Sequence, residues 1–143
     1  MSTEVHASQV GRYDARQQSN NNNVMIFLIG QKIYMDALLI APCTGNTLAK
    51  LAHGITDGAV TMAAKAHLRN GRPVVLAIST NDGLSGSAEN IAKLLCRKNI
   101  YFVPFSQDDP IKKPFSLQSD FTMLSAAVDA ALEGRQIQPL LRR

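Results

Sequence analysis

A chain of 143 residues is long enough for one modest domain and too short for two ordinary ones. Its 45% apolar content supports a core over most of that length. The sequence has no run of about 18 uninterrupted apolar residues and no apolar segment behind a charged start, so the expected setting is the cytoplasm and not a membrane.

The formal charge of +4 is dispersed, with tight basic pairs only at Arg97-Lys98, Lys112-Lys113 and Arg142-Arg143. No Trp and few other aromatics interleave with that charge, which disfavours a nucleic-acid groove and favours an anionic small molecule. Cys43 and Cys96 lack CxxC spacing, so neither a disulfide framework nor a zinc site is indicated, and no metal is expected. Cys96 reads as a small buried apolar residue on a helix.

Residues 1–23 are polar, lack periodicity and end in an asparagine run; they are expected to form a disordered leader ahead of a domain spanning 24–143. Residues 24–29 are a short apolar run, expected as an edge strand ended by Gly30. The stretch 36–46, DALLIAPCTGN, carries more information. An apolar run over 37–41 stops at Pro42 and opens into Cys43-Thr44-Gly45-Asn46 before a helical pattern begins. Gly45 turns the backbone at little steric cost, Asn46 is a good N-cap, and the first amides of the helix are donors with a partial positive charge behind them. In an open α/β sheet, ligands bind outside the carboxyl ends of the strands. The turn is therefore a candidate ligand loop for a phosphate, a carboxylate or a polar ring edge. The blander reading, that Thr44 and Asn46 only cap the helix, stays open.

Leu48, Leu51, Ala52 and Ile55 share one face of a predicted helix closed by Gly54. Asp57 offers a second N-cap for an alanine-rich helix running to Asn70, with His53 and His67 read as surface residues at helix ends. Residues 74–78 form a continuous apolar strand of the kind buried on both faces of a parallel sheet. It ends in Ser79-Thr80-Asn81-Asp82-Gly83, a polar turn equivalent in position to the first. Two such turns from neighbouring parallel strands lie side by side, which is the strongest pointer to a binding site. Ala88, Ile91, Ala92 and Leu95 mark the next helix, capped by Ser87, and 100–103 a third strand. The proline-rich stretch 104–114 is expected to be a shaped loop without secondary structure. Within it Asp108 and Asp109 are candidates for a metal or base site, against the commoner reading of a solvated turn. Phe121, Leu124, Val128 and Leu132 mark a last helix, and the tail 136–143 carries no chemistry that can be named. The repeated strand, loop, helix order predicts a doubly wound α/β fold with a parallel sheet. No GxGxxG or GxxxxGK[ST] is present, so no dinucleotide fingerprint or P-loop is claimed.

The runs DALLIAPCTGNTLAKLAHGITDGAVTMAAKAHLRNGRPVVLAISTNDGL, NIYFVPFSQDDPIKKP and EGRQIQPLL resemble the flavoprotein family, from about Ile29 to the C-terminus. The resemblance implies a Rossmann-like (flavodoxin-like) three-layer sandwich with FMN as cofactor. It is N-terminally shortened, because residues 1–30 show nothing like the strand and Gly/Ser-rich turn that hold the flavin phosphate. It implies a role, together with a nicotinamide-dependent partner protein, in making pyridine-2,6-dicarboxylic acid, the calcium-chelating acid of bacterial endospores. Pro42, Thr44, Gly45, Asn46 and Thr47 match the loop that contacts FMN in the family. Ser79, Thr80 and Asn81 match a Pro-x-Met-Asn segment of the substrate site, with only Asn81 carried over and Ser79 and Thr80 in place of Pro and Met. A flavin- or nucleotide-binding module without catalysis is the alternative. A shortened sheet would expose an edge and apolar helix faces, so a homo-oligomer is also expected.

Overall fold

The apolar runs read as strands do form a sheet in the computed structural model, which describes residues 14–19, 25–30 and 36–143. Strands β1 (Asp14–Ser19), β2 (Met25–Gly30) and β3 (Ala37–Cys43) are antiparallel neighbours. Strand β3 then pairs in parallel with β4 (Val74–Thr80), and β4 in parallel with β5 (Ile100–Phe102). Helices α1 (Gly45–His53) and α2 (Ala59–Arg69) cross between β3 and β4, α3 (Ala88–Leu95) crosses between β4 and β5, and α4 (Leu124–Leu132) closes the fold.

The three-layer α/β architecture follows from the alternation of side chains along β3 and β4. Leu38, Ile40, Leu76 and Ile78 point to one face, where Leu48, Leu51, Val60, Ala64, Ile91 and Leu94 of the first three helices cover them. Ala37, Leu39, Ala41, Val75 and Ala77 point to the other, against Leu124, Ala127, Val128 and Ala131 of α4. Alanine on both sides of that second contact lets the helix approach the sheet closely.

Several expectations change. The sheet is mixed: β3, β4 and β5 pair in parallel, and the other described strand pairs are antiparallel. Residues 25–30, expected at an edge, lie between two strands. Asp14–Ser19 are strand in place of structureless leader, and the remainder of 1–23 lies outside the described residues. The proline-rich stretch 104–114, expected to lack secondary structure, contains β6 (Phe105–Ser106), which forms an antiparallel ladder with β7 (Leu117–Ser119), and β7 pairs antiparallel with the end of β4. Short strands of two and three residues carry no readable period, which is why the sequence hides them. The tail is structural as well. The Gln136 carboxamide accepts from the Phe102 N–H at 2.8 Å and donates to the Phe102 carbonyl at 2.7 Å, standing in for a further strand beside β5.

Helix faces agree with their sequence patterns to within a residue or two. Helix α2 takes Gly58 as its N-cap, with the Gly58 N–H donating to Thr61 Oγ1 at 3.2 Å, while Asp57 instead pairs with Lys50 at 3.0 Å. In α3 the buried residues are Ile91 and Leu94, leaving Leu95 and then Cys96 exposed. The buried face lies one step from the expected one, so Cys96 is a surface thiol.

His67 is buried rather than exposed. Its Nδ1 lies 3.1 Å from the Ala63 carbonyl, and its Nε2 is buried without a hydrogen-bond partner. Burial lowers its pKa from the ordinary value, the Ala63 contact acts against this, and the Arg72 charge adds to the lowering. A base whose folded-state pKa is depressed binds fewer protons folded than unfolded. Its contribution is therefore complete above about pH 6.5 and is lost as the pH falls below that. Urea unfolding at pH 7.5 and pH 5.5 is expected to show an acid loss that His67→Gln reduces; equal losses in both proteins would rule His67 out as its source.

Candidate functional site

Strands β3 and β4 end side by side, and the loops that leave them meet. At the end of β3, Cys43 turns its thiol into the core, where burial pushes the pKa far above the usual cysteine range. A buried neutral thiol is a poor nucleophile, so this loop offers its next residues to a ligand. The N-cap of α1 is Thr44 (φ −80°, ψ 166°), two residues ahead of the expected Asn46, and no side chain caps the helix. Leu48 N–H donates to the Thr44 carbonyl at 2.9 Å as the first helical bond. The amides of Gly45, Asn46 and Thr47 precede that ladder and stand at the positive end of the helix dipole.

The second loop is held by one carboxylate. Asp82 Oδ1 accepts from Thr80 Oγ1 at 2.6 Å and from Ser87 Oγ at 2.7 Å, and these two bonds, Thr80 first, hold its pKa below the usual carboxylate range. Ser87 thereby spends its hydroxyl on the loop and not on capping α3. The cluster presses against the first loop. A Cβ added at Gly45 would lie 2.9 Å from Thr80 Oγ1, 3.0 Å from Ser87 Oγ and 3.4 Å from Asp82 Oδ1. Gly45 is thus required by a close approach between two loops, a reason different from the turn inferred from sequence.

The third wall comes from the excursion between β5 and α4. After Leu76 the edge beside β4 changes hands: Val103 N–H makes a last bond to the Leu76 carbonyl at 2.9 Å, and β7 then pairs with Ser79 and Thr80. Ser79 Oγ donates to Gln118 Oε1 at 2.7 Å across that pairing. The turn at 108–116 folds back over the opening, closed by Lys113 N–H donating to the Asp109 carbonyl at 2.8 Å and by Lys112 N–H donating to Asp109 Oδ1 at 3.0 Å. Hydrogen bonding from Ser116 holds the Asp108 carboxyl below the usual carboxylate range, with Lys113 Nζ at 3.8 Å adding to it. Asp109 is therefore a turn residue, and Asp108 faces the site.

The result is a polar cleft of about 390 Å³ lined by Thr44, Gly45, Ser79, Thr80, Asn81, Asp108, Lys113, Ser116 and Gln118. Of the residues singled out from sequence, Thr44, Gly45, Ser79, Thr80 and Asn81 line it. Pro42 is half-buried within β3, Asn46 is exposed on the first turn of α1, and Thr47 is buried with its hydroxyl 3.4 Å from that of Thr44. Lys113, Ser116 and Gln118 carried no motif, because only the pairing of β7 brings them to the end of β4.

The family model for flavoproteins matches residues 5–120. The chain belongs to the flavoprotein family. It is 50% identical over 113 residues to the B subunit of dipicolinate synthase from Bacillus subtilis strain 168, covering 79% of this chain and 56% of that protein. It is 46% identical over 41 residues to the flavin prenyltransferase UbiX of Deinococcus radiodurans, covering 29% of this chain and 21% of that one. Among solved structures, the dipicolinate synthase B subunit from Bacillus halodurans C matches with a TM-score of 0.76 at 50% identity, over 80% of this chain and 58% of the other. The chain thus spans a little over half the length of these two synthase proteins.

The family match includes residues 5–23, which the sequence analysis treats as a leader ahead of the domain. No group of three or more His, Cys, Asp or Glu among the described residues is placed to hold a metal, and no described helix is long and apolar enough to cross a membrane. Asp108, which lines the cleft, and Asp82, which braces the loop beside it, both have carboxyls held below the usual carboxylate range, away from the near-neutral pKa at which a general acid or base works best.

Proposed function

We propose that this chain acts as the B subunit of dipicolinate synthase. In this reading it contributes, with the synthase's A subunit, to forming pyridine-2,6-dicarboxylate from a dihydrodipicolinate-pathway intermediate during sporulation. The observation that carries the reading is the 50% identity, over 79% of the chain, to a protein of that name. The cleft supports it on chemical grounds. The uncapped amides at the start of α1, the Asn81 carboxamide and the Lys113 ammonium supply donors for a carboxylate or for the carbonyl edge of a flavin ring. Asn81 and Gln118 also supply acceptors for a ring N–H. A volume of about 390 Å³ lies within the range of about 300 to 1,000 Å³ usual for small-molecule sites. FMN is the flavin proposed, and when bound it supplies acceptance or donation of electrons beside the substrate; Thr44, Gly45, Thr80 and Asn81 would hold it.

Co-expression with the A subunit from Bacillus subtilis is expected to raise dipicolinate above the yield of that protein by itself, and equal yields would sink the proposal. A second reading is favoured by the engagement of both carboxyl groups, Asp82 by the Thr80 and Ser87 hydroxyls at 2.6 and 2.7 Å and Asp108 by Lys113 at 3.8 Å: a flavin-binding module that performs no proton transfer of its own. Asn81→Ala separates the two, because lost FMN binding with undiminished dipicolinate output is the outcome expected only of the second. A homo-oligomer belongs to the same proposal, supported by exposed Ile111 and by Leu84 and Phe115, joined at 2.9 Å through Leu84 N–H and the Phe115 carbonyl. A single monomeric species in light scattering across a wide concentration range would remove that part.

A further inference from the structure

A second cavity, of about 300 Å³, lies at the opposite end of α1 from the cleft, among α1, α2 and Arg97, two residues past the end of α3. The cleft touches Thr44 and Gly45 at the start of this helix, and the second cavity touches Lys50, Leu51 and Gly54 at its close. At 1.5 Å per residue the two ends are separated by about 13 Å, so the cavities do not share a wall on this helix.

Four cations line it, Lys50, Lys65, Arg69 and Arg97, and no carboxylate does. Lys65 and Arg69 stand four residues apart on α2 and so share one face of the helix. Lys50 is paired with Asp57 at 3.0 Å, whereas Lys65, Arg69 and Arg97 have no ion-pair partner among the described residues. Arg97 is already oriented, with Nη1 donating to the Leu51 carbonyl at 3.3 Å, which leaves further N–H groups of its guanidinium for a ligand. Between the cations the surface is mostly apolar, broken by Thr56 and Thr61. Leu68 is half-buried there, and Ile55 is 47% exposed just past the end of α1, where Gly54 turns left-handed (φ 71°) and lifts it off the helix face expected for it. Three cations without a carboxylate partner among the described residues, set around a mostly apolar floor, repel one another unless an anion is present, and apolar surface costs free energy while it stays wet.

We propose that this cavity is a second ligand site, for a small organic anion that joins an apolar body to at least two anionic oxygens. The oxygens meet Lys65, Arg69 and Arg97, with guanidinium groups suited to two-pronged contact, and the body rests on Ile55 and Leu68. Carboxylate and phosphate share this chemistry, and the experiment separates them.

Calorimetric titration of the full chain would use benzene-1,2-dicarboxylate, phenyl phosphate and inorganic phosphate as probes, with the wild type, Lys65→Gln/Arg69→Gln and Asn81→Ala. Both substituted residues on α2 are exposed, so the double variant is expected to fold, and circular dichroism checks it. Saturable binding of at least one of the two aromatic probes is expected, tighter than that of inorganic phosphate. It is expected to weaken about tenfold or more in the double variant, to weaken as salt rises, and to persist in Asn81→Ala. Which aromatic probe binds more tightly identifies carboxylate or phosphate as the natural group. The site would be overturned by no saturable binding, by equal affinity for inorganic phosphate, by an unaffected double variant, or by loss of binding in Asn81→Ala, which would place the ligand in the cleft.

Discussion

Gly45→Val is expected to abolish the FMN binding proposed for the cleft and to destabilise the fold by about 1–3 kcal/mol, the usual range for forcing extra atoms into a packed site. The cause is local. The first added carbon alone would lie 2.9 Å from Thr80 Oγ1 and 3.0 Å from Ser87 Oγ, and both hydroxyls are already committed to Asp82 at 2.6 and 2.7 Å. To make room, either hydroxyl must rotate off Asp82 or the two loops must separate, and each movement changes the cleft. FMN fluorescence quenching and urea unfolding measure the two effects. Wild-type affinity together with a stability change under about 0.5 kcal/mol would show that the loops yield freely and that the close approach is not a constraint.

Phe102→Ala has the larger expected effect on stability, a loss of about 3–5 kcal/mol. Phe102 is fully buried on the three-helix face of the sheet, with the Phe105 ring centroid 6.2 Å away at 60°. Its backbone is fixed from outside by Gln136, so the strand has little freedom to close over the space left behind. Against a typical total of about 5–15 kcal/mol, such a loss removes a large share of the stability. Urea unfolding is expected to show a shifted midpoint with little change in slope; a loss under about 1 kcal/mol would mean that the core collapses into the gap.

Much of this fold is legible in the sequence because its strongest signals are local. A continuous apolar run bounded by Pro73 and the polar turn at Ser79 reads as a strand without any knowledge of its neighbours, and Gly54 ends α1 as its position suggests. Boundaries are less legible. The choice of Thr44 over Asn46 and of Gly58 over Asp57 as N-caps depends on where backbone φ and ψ become helical, and Asp57 is drawn instead to Lys50. His67 and Cys96 depart from their expected exposure for a related reason, since one step of 100° around a helix separates a buried position from an exposed one.

Hydrophobic period and turn chemistry are carried by neighbours along the chain, and they suffice for an α/β domain in which two buried strands each lead into a polar turn. They also suffice to place Thr44, Gly45, Ser79, Thr80 and Asn81 at the carboxyl ends of those strands, and all five line the cleft. What faces these five residues depends on contacts made across the fold. Lys113, Ser116 and Gln118 reach the site because β7 pairs with the end of β4 where β5 departs, and Gly45 is needed because Asp82 draws Thr80 and Ser87 against it. The pairing of β7 with β4 joins residues 37 and 39 positions apart, and Gly45 meets Thr80 and Ser87 across 35 and 42 positions; contacts of that span leave no period in the sequence from which they could be read.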